Sequence, residues 1–291
     1  MERHRAFESC VWLALLLPVT LNAAKLEPTT AKAWEEYAGV ATMGMEQRLN
    51  PGNSFLWVDE VPERLRKVRS GEIVVSSVGL QNPKRVPAGL IHDWLGAAFI
   101  AHFTISDVLA VVRDYARYKD LYRPTVMDSK VIASSEAKDR FSMLLNTKSP
   151  FLKTVLDTDS EANYVHVDNQ RAYSISRTTR IQEIEQYGGP DQRVLSEGEG
   201  VGLIWRLLSI TRYAERDGGV YIEFEVIGLS RDIPNSLRWL VEPIVRHASR
   251  RSLLTSLQRT ESAVHARGES TAASYRESRA RQDLPAAHSS R

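Results

Sequence analysis

His92 and Asp93 are adjacent residues of the kinds that ligate metals in hydrolases. They sit in a run, Gly89 to Ile100, that reads as a strand, so successive side chains point to opposite faces. No second His/Asp pair at ligand spacing lies nearby, and a metal site is not expected. His166 and His247 are equally isolated and read as surface or capping residues. Gly198-Glu199-Gly200-Val201-Gly202 has the look of a phosphate loop, but a dinucleotide fingerprint opens a helix, whereas Leu203 to Ile210 reads as a strand. The loop is taken as a flexible approach to that strand. The chain contains no G-x-S-x-G, H-E-x-x-H or G-K-[ST] signature, so the common hydrolase, metalloprotease and nucleotide-binding mechanisms lack their motifs, and no cofactor is expected.

Two other groups of side chains could do chemistry. Tyr115, Tyr118 and Tyr122 recur at helical spacing; packing of a helix on a sheet rim with hydroxyls reaching water is favoured over a ligand gate. Arg177 shares a strand face with Tyr173, Ile175 and Thr179. If that face lines an apolar cavity, the guanidinium needs a carboxylate or polar ligand group, because a buried lone charge is too costly. The alternative, slightly preferred, is an outward arginine paired with Glu or Asp.

Composition bounds the rest. The chain has 291 residues, 43% hydrophobic and 25% charged, which is ordinary globular composition with enough apolar residues for a sizeable core. A net charge of +2 gives no global basic field, and no nucleic-acid partner is expected. The N-terminus has a basic start (Arg3, Arg5), a short apolar stretch from Val11 to Val19 and small residues at Ala23 and Ala24, the parts of a secretory signal. The stretch is shorter than the roughly 20 residues that span a bilayer. Export to the periplasm or medium with cleavage near Ala23 or Ala24 is expected, with an uncleaved N-terminal membrane anchor as the alternative. The one cysteine, Cys10, would leave with the signal, removing disulfides and thiol chemistry from the mature chain.

The elements that must position these residues follow from periodicity. Residues 25–70 form a partly helical lead-in, with a turn at Pro51-Gly52 and a short helix opening at Val61-Pro62. Gly71–Val78 and Gly89–Ile100 read as strands. Thr104, with Asp107 three residues on, starts a helix reaching toward Tyr122, whose apolar positions Val108, Leu109, Val112 and Tyr115 share a face. Strand-like segments then run Val126–Ser134, Asp139–Lys148, Tyr164–Val167, Arg171–Gln186, Gly202–Tyr213 and Val220–Leu229, with Asp217-Gly218-Gly219 as a hairpin turn. In Tyr221 to Val226, Glu223 and Glu225 occupy one face and Ile222, Phe224 and Val226 the other, the pattern of a sheet solvated on one side. A last helix, Asn235–Val264, carries a broad apolar stripe including Leu240 and Ile244, and Pro243 is expected to bend or divide it. Residues 265–291 read as a disordered tail.

The run Gly89–Ile100, the helix Thr104 to Lys119 and the exit Tyr122-Arg123-Pro124 resemble the opening of the START-like or SRPBCC superfamily, which includes lipid-transfer domains, polyketide cyclases and birch-pollen-allergen-like proteins. The resemblance covers residues 71–264 and has no universal catalytic residue to carry over. It implies an α+β helix-grip fold, a curved antiparallel sheet wrapped around the C-terminal helix with a hydrophobic cavity between them. The expected lining is Tyr173, Ile175, Arg177, Trp205, Leu207, Phe224, Val226, Leu240 and Ile244. The expected function is binding of a hydrophobic small molecule or lipid by an exported monomer, with a non-catalytic role preferred. The rivals are a cyclase or dehydratase-type enzyme using Arg177, Tyr173 or Asp114, and an envelope interaction module. In the latter, Arg246, Arg250 and Arg251 would touch a partner or a membrane surface.

Overall fold

The computed structural model describes residues 24–149, 152–202 and 204–282. The export signal expected over 1–24 lies outside them except for Ala24, as does the end of the expected tail, 283–291.

In chain order, β1 (Ala24–Lys25) precedes α1 (Pro28–Gln47), a 3-10 turn at Val58–Glu60 and α2 (Pro62–Arg69). Strands β2 (Val74–Ser77), β3 (Lys84–Val86) and β4 (Gly89–Ala101) follow, then α3 (Ile105–Val112) and the short α4 (Tyr118–Leu121). The meander is β5 (Val126–Ser134), β6 (Lys138–Ser149), β7 (Leu152–His166) and β8 (Arg171–Glu185). Two short strands, β9 (Arg193–Val194) and β10 (Glu199–Gly200), lead to β11 (Arg206–Arg216), β12 (Gly219–Arg231) and α5 (Asn235–Gln282). The main sheet is antiparallel throughout, in the order β2-β4-β12-β11-β8-β7-β6-β5, with β3 beside β4 and β9 beside β8. A large antiparallel sheet holding a long C-terminal helix is the helix-grip arrangement that the resemblance implies.

Alternation along the strands assigns each residue to one of two faces. On the face toward α5, Ala98, Ile100, Ala172, Tyr213, Val220 and Ile222 pack with Val108 and Val111 of α3 and Leu257 and Val264 of α5. On the opposite face, Ala97, Tyr173, Ile210, Ala214 and Tyr221 pack with Met45, Phe55, Leu56, Val58 and Val68 of the lead-in. Ile91, Leu208, Ile227 and Leu229 pack there with Trp34 and Ala38 of α1. The lead-in is therefore a second cover, and the expectation of a sheet solvated on one side is corrected. Glu223 is 0% exposed, its carboxylate held by Arg212 Nε at 2.9 Å and by the Val58 backbone N–H at 2.8 Å. Helix α1 starts with Pro28 in its first turn and buries Thr30, Trp34, Ala38 and Met45 along one stripe, which is what seats it.

Thr104 caps α3 with Asp107 in a reciprocal capping box, as its position in the sequence predicts. The helix is interrupted at Arg113, whose guanidinium turns back to grip the buried Asp139 carboxylate in a bidentate pair at 2.8 and 2.9 Å. The three tyrosines turn inward rather than to water. Tyr115 stacks on Phe141 and its hydroxyl meets that of Tyr164 at 2.6 Å; Tyr118 donates to the Val112 carbonyl at 2.5 Å; the Tyr122 hydroxyl lies 2.8 Å from Thr260 Oγ1 on α5. Burial raises all three phenols above their ordinary pKa.

Helix α5 runs on as helix to Gln282 with Pro243 inside it, so the proline does not divide it and the expected tail is helical as far as it is described. The reason is anchorage. Phe103 stacks edge-on against His265, and Gly268 lies so close to Phe103 that a Cβ there would clash. A nucleated helix then propagates through residues of good helix propensity such as Ala272 and Ala273.

Candidate functional site

The predicted cavity residues divide between the two faces of the sheet. Tyr173, Ile175 and Trp205 pack on the lead-in side, and Arg177 pairs there with Glu35 of α1 at 3.3 Å. Arg177 is thus the outward, carboxylate-paired arginine that the sequence reading preferred. Leu207, Phe224 and Val226 alternate to the α5 face; on α5 itself, Ile244 is partly buried and Leu240 is 38% exposed. The correction has one cause: with the lead-in covering the second face, β8 residues of one parity meet α1 and not α5.

A recess of about 380 Å³ opens beside α1 and is lined by Thr42, Asn163, Val165, Tyr173, Ile175 and Arg177 among others. A second, of about 410 Å³, lies between α3 and the later part of α5, lined by Asp114, Arg117, Arg267 and Ser270 among others. Asp114 therefore stands at one recess and Tyr173 and Arg177 at another on the opposite face, so the acid/base trio of the enzyme rival does not converge. His92 and Asp93 likewise face apart: His92 Nε2 meets Ser230 Oγ at 3.1 Å, while Asp93 accepts from the Tyr37 hydroxyl at 2.8 Å on the lead-in side. Among the described residues no group of His, Cys, Asp and Glu is placed to hold a metal.

The glycine loop is occupied by its own chain. The backbone N–H groups of Val201 and Gly202 donate to the Glu183 carboxylate at 2.7 and 2.8 Å, and β10 within the loop pairs with β1. The loop's N–H groups are thus taken up by the Glu183 carboxyl group.

The two halves of α5 differ in how well they are covered. The second half is tightly seated: a Cβ at Gly96 would come within 2.7 Å of Leu257 Cδ1, and Leu253 and Leu257 are buried. The first half is not. Trp239 is 77% exposed and Leu240 38%, and Leu237, Val241, Ile244 and Val245 are only partly buried. On the sheet beneath, Leu207, Phe224 and Val226 are also only partly buried. His92 belongs to this floor. Burial lowers its pKa to about 4, the negative charge of Glu242 on α5 pulling weakly the other way, so the imidazole is neutral at pH 7 and α5 crosses close above it.

The floor is graded across the strands. One register row runs Trp94, Val226, Ser209, Ser176 and Ala162 through β4, β12, β11, β8 and β7. The next runs Gly96, Phe224, Thr211, Ser174 and Tyr164. Toward β4 and β12 the floor is apolar; toward β11 and β8 it is a band of hydroxyls. Sequence reasoning missed this band and Trp94, although the i, i+2 recurrence of Ser174 with Ser176 and of Ser209 with Thr211 marks it.

No protein-family model matches the chain, and a search of curated proteins finds no significant match. Solved structures similar to it include a STAR-related lipid transfer protein from Xanthomonas axonopodis, at 14% identity over 66% of this chain and 98% of that one, with a TM-score of 0.42. Human STARD10 is similar at 9% identity over 76% and 85%, TM-score 0.43. The Zhui aromatase/cyclase of a Streptomyces species is similar at 10% identity over 61% and 95%, TM-score 0.39.

Proposed function

We propose that the chain binds a hydrophobic small molecule or lipid between the α5 face of the sheet and the first half of α5. Two observations support this reading: Leu207, Phe224 and Val226 on the α5 face of the sheet are only partly buried, and so are Val241, Ile244 and Val245 in the first half of α5. Complete burial of such a side chain is worth about 1.5–3 kcal/mol, so an apolar guest recovers stabilisation that the empty chain forgoes. Purified protein incubated with a lipid extract, reisolated and examined by native mass spectrometry should retain an apolar species, and Val226→Trp, which fills the space, should retain less. Recovery of the protein without any bound apolar molecule would sink the proposal.

Residues 1–24 are read as an export signal that delivers the protein to the periplasm or medium. The basic start, the Val11–Val19 stretch and the small residues at Ala23 and Ala24 support it. Processing there leaves the new terminus at Lys25, which pairs with Glu199 through β1 and β10. The intact mass of the protein expressed with its full N-terminus should begin at residue 24 or 25; a mass retaining residues 1–23 refutes cleavage.

A further inference from the structure

The molecule offers several places that the proposed function leaves unused: two surface recesses, the acidic cluster on the lead-in side, and the polar groups in the floor of the α5 chamber. The last carries the most, because an indole N–H there has nothing to donate to.

Trp94 is 7% exposed, and its Nε1 finds no hydrogen-bond acceptor among the described residues. An indole nitrogen is a donor only, so it cannot be satisfied by turning to accept. Leaving a buried donor unpaired is costlier than having no polar group there at all. Trp205 Nε1 is also unpartnered among the described residues, but Trp205 is packed among Trp34, Leu208 and Leu229 on the lead-in side, all of them buried. Trp94 differs in its neighbours. Its cross-strand partner on the α5 face is Val226, and beyond that come Ser209 and Ser176, all three only partly buried. The Tyr213 hydroxyl, two register rows away and 0% exposed, lies beside the hydroxyls of Ser174 and Thr211. A purely hydrocarbon guest would leave these groups as they are.

We infer that the ligand of this chamber is an apolar molecule bearing a carbonyl oxygen, as in a long-chain ketone or ester, and that the Trp94 indole N–H donates to that oxygen. The inference rests on the apolar-binding reading above and narrows its ligand class. The chain of the ligand lies over Phe224, Val226 and Leu207, and the oxygen sits on the β4 side, at Trp94.

The test uses a matched pair of probes, 2-nonanone and nonane, each measured by displacement of the fluorescent dye 1-aminoanthracene from the full chain. Trp94→Phe keeps an aromatic ring and removes the donor together with the fused second ring, a loss of packing that both probes share. It should weaken 2-nonanone about threefold to tenfold while changing nonane by less than twofold, the span that one neutral hydrogen bond represents. Comparing the two probes in both proteins cancels their different solubilities in water. A reading that does not depend on the variant folding comes from the wild-type protein labelled with nitrogen-15. Its assigned Trp94 indole N–H proton should move downfield with 2-nonanone and stay in place with nonane. Equal weakening of both probes in Trp94→Phe, or an indole resonance indifferent to the ketone, overturns the inference while leaving apolar binding standing. If the dye and both probes fail to bind at all, the apolar-binding reading falls together with it.

Discussion

Asp93 and Glu225 lie on the same face of neighbouring strands, with Glu223 two residues further along. Arg212 serves the two glutamates, meeting Glu223 at 2.9 Å and Glu225 at 2.9 Å, whereas Asp93 receives the Tyr37 hydroxyl on one oxygen and nothing on the other. Burial, with the Glu225 charge added, pushes the Asp93 carboxyl up to about 7, against the weaker pull of Tyr37 and Arg212. The folded protein therefore holds a proton at Asp93 across a range where the unfolded chain, titrating near the ordinary 3.8, has released it. Stability from this group is present at low pH and is lost as pH rises from about 4 to about 7. His92 works in the opposite sense in an overlapping window. Its folded pKa of about 4 lies below the ordinary 6.5, so its contribution is lost as pH falls through that interval. Asp93→Asn keeps an oxygen for Tyr37 and removes the titration. It should be more stable than the parent at pH 8 by on the order of 1–3 kcal/mol, the gap narrowing by more than half at pH 5, as read from urea unfolding at both pH values. A gap that does not depend on pH would mean that Asp93 does not titrate in this range.

At the scale of elements, what was legible was whatever follows from local chemistry. The Thr104–Asp107 box starts α3, the Asp217-Gly218-Gly219 turn joins β11 to β12 with φ of 59° and 79° at its first two residues, and the β12 alternation sorts its side chains into two faces. Strand β7 was read only from Tyr164 to Val167 because its earlier part, with Thr154, Asp157, Thr158, Asp159, Ser160 and Glu161, shows no apolar alternation. It is held as a strand by its neighbours. Asp157 and Asp159 pair across to Arg180 on β8, and Glu161 to Lys138 and Arg140 on β6. Such cross-strand pairs are invisible until the register is known. The same limit hid the second cover of the sheet: the stripe Thr30, Trp34, Ala38, Met45 is helical in spacing, but two small or polar members dilute its hydrophobicity, and nothing in it says which surface it meets. Of the predicted lining, Leu207, Phe224 and Val226 on β11 and β12 lie on the face toward α5, and Tyr173, Ile175 and Arg177 on β8 lie on the face toward α1.

For the whole molecule, the sheet is a shared wall between two covers that hold it in different ways. The α5 side is secured at one end, by Leu253, Leu257 and Val264 over Gly96, Ala98 and Ile100, and stays loose at the other. The lead-in side is continuous: Trp34, Ala38, Met45, Leu56, Val58 and Val68 are all buried against the sheet, and backbone and side chains of the lead-in complete the hydrogen bonding of Glu223 and Asp93. If the fold were only the sheet and its C-terminal helix, the lead-in would be an appendage and residues 71–282 would stand alone. The packing says otherwise. Removing residues 25–70 would bare Ile91, Leu208, Ile210, Ile227 and Leu229, and would leave Glu223 without the Val58 N–H and Asp93 without Tyr37. Baring a buried apolar side chain costs about 1.5–3 kcal/mol, and five of them already approach the whole stability of a domain, about 5–15 kcal/mol. A chain starting at Gly71 should therefore fail to unfold cooperatively on heating and should bind 1-anilinonaphthalene-8-sulfonate as an exposed-core species does. Adding the 25–70 segment in trans should restore a transition, whereas a truncated chain that melts sharply by itself would show that the lead-in is dispensable and that the second core does not hold the sheet.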